Sequence, residues 1–274
     1  MRSSSDISES AEEITIEENQ ISQGDDSISS GELTVVGIGP GSLNDMTPRA
    51  FNSIRNADVV VGYNAYITLI KSLIEDKEVI GTAMLQEIDR CKMAVEKAIS
   101  GQKVVVVSSG DPGIYGMAGL VLELVMQLPK EKQPKVEVVP GISAVSASAA
   151  ILGAPLMHDF AVISLSDLLT PWDLIKKRAE LVAQGDFVVA LYNPKSKKRV
   201  TQIEEIREIM LKFKDPQTPV GIVNNATREK EYAIISNLNE FTKEKIDMFS
   251  LVIIGNSNTY VEDGKIITPR GYKI

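Results

Sequence analysis

The sequence predicts an α/β protein of two domains, each with a mainly parallel or mixed β-sheet, and with a ligand-binding cleft between them. Short β-branched runs end repeatedly in small or polar loops, and residues 33–42, LTVVGIGPGS, are the first of these. Amphipathic helix patterns separate the runs, which is typical of a parallel sheet covered by helices. The alternation breaks at residues 153–155 and then restarts, which indicates a second domain.

Charge divides the chain into a tail and a folded part. Residues 1–31 hold eight acids against Arg2 alone, so they carry −7 of the formal net charge of −8. They also contain nine serines and no aromatic residue, a composition that buries too little apolar surface to fold. We therefore expect a disordered acidic tail at 1–31, an N-terminal α/β domain at 32–155 and a C-terminal α/β domain at 156–274.

Composition also excludes several classes of protein. One cysteine and one histidine argue against a disulfide framework and against a cysteine-based or histidine-rich metal site, so no metal is expected. The nearly neutral folded part argues against a nucleic-acid partner. No run approaches the roughly 18 apolar residues of a membrane span, and the acidic start is unlike a signal peptide. We expect a cytoplasmic protein.

In the first half, Thr47 followed by Pro48 predicts an N-cap and the first residue of a helix. Further strands are predicted at residues 59–61, 103–108 and 136–139, and further helices at 66–74, 88–99, 116–128 and 144–152. Residues 103–108, KVVVVS, are the clearest buried strand. Cys91 lies on the apolar stripe of its helix, so we expect a buried, unreactive thiol.

In the second half, strands are predicted at 161–165, 186–191, 220–223 and 250–254. Thr170 and Pro171 repeat the signal of a capped helix start. Residues 196–213 predict a long amphipathic helix.

Five strand ends finish in small or polar residues: GPGS, SSGDPG, PGISA, YNP and NNAT. In a parallel sheet such ends lie along one edge, where they could bind a zwitterionic nucleoside through backbone contacts. Gly37, Gly39 and Gly41 leave the first loop without any Cβ, so a ligand could approach its backbone. The loop does not fit the dinucleotide fingerprint, because Ser42 occupies the position of the third small residue and Pro40 lies inside the turn.

These loops carry a resemblance to the tetrapyrrole methylase family, whose members methylate corrin and sirohaem precursors with S-adenosylmethionine. The G-x-GPG, GDPG and PG-x-SA motifs are family-wide. Three longer strings resemble the precorrin-3B C17-methyltransferases: VGYNAYITLI at 61–70, HDFAVISLSDLLTPW at 158–172 and ALYNPKSKKR at 190–199. The resemblance covers nearly everything after the tail.

The resemblance implies that the methyl donor lies in the inter-domain cleft and leaves as S-adenosyl-L-homocysteine. The residues that it places on the donor are Gly39, Pro40, Ser109, Gly110, Asp111, Ile114, Ser143, Ala144, Tyr192, Asn193 and Ala226. Ser109 stands where many relatives have glycine. A homodimer is also implied.

The reaction that the resemblance implies is methylation at C17 of precorrin-3B or its cobalt form, followed by ring contraction. The contraction needs proton transfers, for which the candidates are Asp111, His158, Asp167 and Tyr192. His158 lies at the predicted domain junction, where a structural role bonded to the backbone explains it equally well.

The substrate carries many carboxylates, for which Lys195, Lys198 and Arg228 are candidate partners. The two lysines lie at the predicted start of the 196–213 helix, where cations oppose the helix dipole unless an anion is present. Two other functions stay open: a sibling methylase acting at another carbon, such as C11 or C20, and a non-catalytic nucleotide-binding module.

Overall fold

The computed structural model describes residues 31–273, so the predicted acidic tail lies, except for Gly31, outside the described residues. The strands of the first half are β1 (Glu32–Gly37), β2 (Val59–Tyr63), β3 (Glu78–Thr82), β4 (Lys103–Ser108), β5 (Lys135–Val139) and β6 (Gly153–Ala154). Those of the second half are β7 (Phe160–Ser164), β8 (Val188–Tyr192), β9 (Pro219–Asn224), β10 (Tyr232–Asn237), β11 (Ser250–Ile254), β12 (Tyr260–Glu262) and β13 (Lys265–Ile267).

The helices are α1 (Pro48–Arg55), α2 (Asn64–Leu69), α3 (Glu87–Ile99), α4 (Ala118–Met126), α5 (Ala144–Leu152), α6 (Trp172–Gln184) and α7 (Gln202–Leu211). None of the helices within residues 31–273 is long and apolar enough to cross a membrane.

The first sheet has the order β3-β2-β4-β1-β5, and its strands are all parallel. Val35 packs with α3 and α4 on one face, whereas Val36 packs with α1 and α2 on the other. Cys91 is fully buried between α3 and the sheet, as predicted. Because the strands are parallel, the loops that follow β1, β4 and β5 lie along one edge.

The second sheet has the order β10-β9-β11-β8-β7 and is mixed. Strand β7 is parallel to β8, whereas β11 runs antiparallel to both of its neighbours, β8 and β9. Strands β8 and β9 therefore point the same way, and the loops that follow them share an edge. The two sheets confirm the predicted α/β class.

Helix α5 packs on the second sheet, although it follows a strand of the first. Val145 and Leu152 are buried against Val223 and Ile253, on the face opposite α6 and α7. A small third sheet joins β6 to β13 and β12. The proposed domain division between residues 155 and 156 stays a prediction.

The first predicted helix cap is confirmed, because the Thr47 hydroxyl accepts a hydrogen bond from the Ala50 amide at 3.1 Å. The second is wrong. Helix α6 begins at Trp172 with Pro171 in the N-cap position and without a side-chain cap, so Thr170 lies one residue too early.

The long helix predicted at 196–213 is also wrong, since α7 begins only at Gln202. The Ser196 hydroxyl accepts hydrogen bonds from the Lys198 and Arg199 amides, and the Ser196 amide donates to the Arg199 carbonyl. This local turn competes with the helix. Lys195 and Lys198 therefore lie outside the first turn of α7, and the dipole argument for an anion there no longer holds.

Candidate functional site

The loops that follow β1, β4 and β5 pack backbone against backbone. Gly39 and Gly110 exchange two hydrogen bonds, of 3.2 and 2.7 Å. A Cβ on Gly37 would come within 2.6 Å of both the Gly110 oxygen and the Gly141 nitrogen. At Gly37, therefore, the missing side chain allows the loops to pack together, and ligand approach is not needed to explain it.

Gly110 has more room than its neighbours. Its φ of +66° favours glycine, and a Cβ there would meet nothing closer than the Ala144 nitrogen at 3.5 Å. By contrast, a Cβ on Gly41 would lie 2.3 Å from the side chain of Arg228. The backbone conformation at Gly110, and not a clash with neighbouring atoms, therefore favours glycine there.

The Asp111 carboxylate links the β4 loop to the β5 loop. One oxygen accepts a hydrogen bond from the Gly113 amide at 2.8 Å, and the other accepts from the Gly141 amide at 3.0 Å. Both oxygens are thus engaged by backbone groups. This arrangement gives Asp111 a role in shaping the site.

The second sheet contributes Tyr192 and Asn193 at the end of β8. The Tyr192 hydroxyl accepts a hydrogen bond from the Val145 amide at 3.0 Å. Burial raises the pKa of the Tyr192 phenol above its ordinary value, so the group keeps its proton at neutral pH. Asn193 has a φ of +51°, and its amide donates to the Ser164 hydroxyl at 3.0 Å.

Three of the predicted donor contacts pack against the same apolar cluster. Ala144, Tyr192 and Ala226 are all partly buried against the core that α5 forms with the second sheet. Ser143 caps α5, its hydroxyl accepting from the Ser146 amide. Ile114, from the β4 loop, is 37% exposed.

Arg228 crosses from the loop after β9 to the first sheet. Its guanidinium donates to the Pro40 carbonyl at 2.9 Å and to the Ser109 hydroxyl at 3.0 Å. Burial lowers the pKa of Arg228, and the nearby Tyr66 opposes this shift. Close by, the Ser42 amide donates to the Thr227 hydroxyl at 3.1 Å. Loops from the two sheets are therefore in direct contact.

The other predicted residues are more dispersed. His158 is exposed and precedes the amino end of β7, whereas Tyr192 lies at the carboxyl end of the neighbouring strand. Because a five-residue strand spans roughly 15 Å, the structure does not bring His158 to the other candidates. Asp167 is exposed and accepts from Gln202 at 3.2 Å, with the Arg199 guanidinium 3.7 Å away.

The two predicted substrate lysines lie beyond Asn193. The Lys195 ammonium is 3.5 Å from the Thr242 carbonyl, a long hydrogen bond, and Lys198 is exposed. Both keep donors that are free to bind an anion.

Sequence reasoning missed Tyr115, which follows the GDPG motif. Its hydroxyl contacts the backbone of β7, and its ring lies 5.4 Å from the ring of Tyr192. The motif indicated a ligand-binding loop, but nothing in a single sequence shows which distant strand a tyrosine reaches.

A polar depression of about 450 Å³ lies elsewhere, next to Glu32, Lys103 and the Arg49–Glu137 ion pair. Glu32 and Lys103 begin β1 and β4, so this depression is at the edge opposite the loops described above. Within residues 31–273, no group of three or more His, Cys, Asp or Glu side chains is arranged to hold a metal ion.

The sequence was compared with protein-family models and with curated proteins, and both comparisons match tetrapyrrole or cobalt-factor methyltransferases. Residues 32–242 match the family model for tetrapyrrole (corrin/porphyrin) methylases. The chain is 48% identical over 245 residues to a cobalt-factor III methyltransferase of Priestia megaterium, covering 89% of this chain but only 45% of that protein. It is 49% identical to a probable cobalt-factor III C(17)-methyltransferase of Salmonella typhimurium, covering 88% of this chain and 100% of that one.

A solved structure is also similar. The crystal structure of the methyltransferase CobJ superposes with a TM-score of 0.83 at 37% identity, covering 88% of this chain and 100% of that chain.

Proposed function

We propose that this chain, which belongs to the tetrapyrrole (corrin/porphyrin) methylase family, transfers a methyl group from S-adenosylmethionine to C17 of a precorrin or cobalt-precorrin. The same enzyme would contract the ring, in cobalamin biosynthesis. The observation that carries the proposal is the meeting of the β1, β4 and β5 loops with the loops after β8 and β9, through Arg228, Thr227 and Tyr192.

The residues at this meeting point fit the methyl donor. Ala144, Tyr192 and Ala226 offer a partly buried, mainly apolar surface, which suits an adenine ring, and Gly110 is the proposed backbone contact beside it. Gly39, Pro40, Ser109, Ile114, Ser143 and Asn193 complete the proposed donor contacts. When bound, the donor supplies an electrophilic methyl group on a sulfonium.

The chain's own residues then act mainly by positioning, which lowers the barrier without a covalent nucleophile. Asp111 and Arg228 hold the donor loops in place. For ring contraction we propose Tyr192 as the proton donor, because its hydroxyl accepts a hydrogen bond from the Val145 amide, a bond that does not use the hydroxyl's own proton. Both oxygens of Asp111 are already engaged.

The proposed substrate is the cobalt-bearing form, in line with the cobalt-factor III names of relatives 48% and 49% identical to this chain. The cobalt would arrive inside the macrocycle. Lys195 and Lys198 are the proposed partners of its carboxylates. We further propose a cytoplasmic homodimer.

The test is to incubate the purified full chain with [methyl-¹³C]-S-adenosylmethionine and either cobalt-factor III or metal-free precorrin-3B, and to locate the label by NMR. Label at C17 with a contracted ring, and faster turnover of the cobalt form, is the expected result. Label at C11 or C20 would make the chain a sibling methylase. No transfer, together with tight binding of an adenine dinucleotide, would make it a nucleotide-binding module.

A further inference from the structure

We propose that Tyr115 is a positioning residue that holds the donor-binding loop closed by bonding to the free edge of β7. The loop in question is residues 109–116, which link β4 to α4. The inference rests on the proposed function, because it concerns how the same donor site is kept in shape.

Strand β7 is an outer strand of the second sheet, and β8 is its one partner among the strands of residues 31–273. The groups on its free edge include the Val162 carbonyl and the Ser164 amide. The Tyr115 hydroxyl donates to that carbonyl at 3.1 Å and accepts from that amide at 3.1 Å. One phenol therefore takes the place of the amide and carbonyl that a further strand would offer.

The backbone of Tyr115 indicates that these contacts hold it in place. Its φ is +54°, a left-handed conformation that is uncommon for a bulky residue and persists only where the surroundings impose it. The surroundings are the two hydrogen bonds to β7 and the ring of Tyr192, whose centroid lies 5.4 Å away.

The loop is thus fixed at both ends. Asp111 ties its start to the first sheet through Gly141, and Tyr115 ties its end to the second sheet through β7. Ile114, a proposed donor contact, lies between these two ties. Loss of the Tyr115 bonds would therefore loosen the donor surface without removing any group that touches the donor.

We call the two hydrogen bonds between Tyr115 and β7 the latch, and these bonds can break reversibly. Tyr115 is 54% exposed, so water can compete for both of its bonds.

The test compares Tyr115→Phe with Tyr232→Phe in the full chain. The control hydroxyl also donates to a backbone carbonyl at 3.1 Å, that of Lys245, but it lies on β10, at the other edge of the second sheet. Two quantities are measured: amide hydrogen exchange at Ser164 and in residues 109–116, and the affinity for S-adenosylhomocysteine by calorimetry.

Tyr115→Phe is expected to speed exchange at both places and to weaken S-adenosylhomocysteine binding by roughly 3- to 10-fold, the cost of lost hydrogen bonds. Tyr232→Phe should change neither. Unchanged exchange in Tyr115→Phe would overturn the latch, and faster exchange with wild-type affinity would overturn its role at the donor site. If the wild-type chain itself binds no S-adenosylhomocysteine while Tyr115→Phe still speeds exchange, the proposed function fails and the latch stands only as a structural tie.

Discussion

The guanidinium of Arg228 donates a hydrogen bond to the hydroxyl of Ser109 at 3.0 Å, although 119 positions separate the two residues in the chain. The same guanidinium bonds to the Pro40 carbonyl. One side chain from the second sheet therefore holds two loops of the first. Arg228 was predicted to bind substrate, and these contacts place it next to two of the loops of the proposed donor site.

Arg228→Gln should weaken S-adenosylhomocysteine binding about tenfold in the absence of any tetrapyrrole, because it removes two hydrogen bonds from a charged group. Ser109→Ala removes one of them and should cost about two- to fivefold. The double variant should bind no more weakly than Arg228→Gln alone, since both changes break the same contact. Calorimetry on the four proteins checks this. Wild-type affinity in Arg228→Gln, with a raised KM for the tetrapyrrole, would show that the arginine serves the substrate only.

Gly37→Ala and Gly119→Ala test the packing of the loops. A Cβ at Gly37 would clash with backbone atoms of Gly110 and Gly141 at 2.6 Å, whereas Gly119, in α4, has open space around it. We expect Gly37→Ala to lower the thermal midpoint and weaken S-adenosylhomocysteine binding. Gly119→Ala should raise stability by about 0.5–1 kcal/mol, since alanine favours the helix. The thermal midpoints of both variants are measured. An unchanged midpoint in Gly37→Ala would contradict the close packing of the loops.

Lys195→Gln combined with Lys198→Gln tests the proposed carboxylate contacts. The KM for the tetrapyrrole should rise about two- to fivefold, and the effect should shrink with added salt because exposed charges are screened. Affinity for S-adenosylhomocysteine should stay unchanged. The matched control is Lys92→Gln with Lys212→Gln, which makes the same charge change at exposed sites elsewhere. Equal effects in the two pairs would point to overall charge and against a specific contact.

Cys91 predicts a pH dependence of stability. Burial raises the pKa of its thiol from 9.0 to about 11, so the unfolded chain loses this proton at a lower pH than the folded protein does. Above pH 9 the unfolded state then binds fewer protons, and the free energy of unfolding falls as pH rises towards 11, by about 2–3 kcal/mol from this group. The difference between wild type and Cys91→Ala in chemical denaturation at pH 8, 9.5 and 11 isolates the contribution. A difference that does not vary with pH would contradict it.

Local signals predicted much of the fold. Strand β4 and helix α5 have the bounds expected from residues 103–108 and 144–152, because β4 is a run of valines and α5 is an alanine-rich segment that follows a capping serine. The helix expected from residue 196 failed because Ser196 forms its own turn. The antiparallel direction of β11 was also missed, since an apolar run does not encode the direction of a strand.

The candidate site was likewise predicted only in part. The glycine-rich and polar strand ends were visible in the sequence, and the structure brings them together. The bonds of Arg228 to Pro40 and of Tyr115 to β7 join residues far apart in the chain. A local sequence pattern cannot predict these long-range hydrogen bonds, because they depend on how the two sheets are placed against each other.

Helix α5 has a consequence for how the chain can be divided. Ser143, which caps it, follows the last strand of the first sheet, while Val145 and Leu152 complete the core of the second. A fragment beginning at residue 156 would lack this helix and expose the apolar surface that it covers. We therefore expect the two halves to unfold as one cooperative unit, so that a destabilising change in either half lowers the stability of the whole protein.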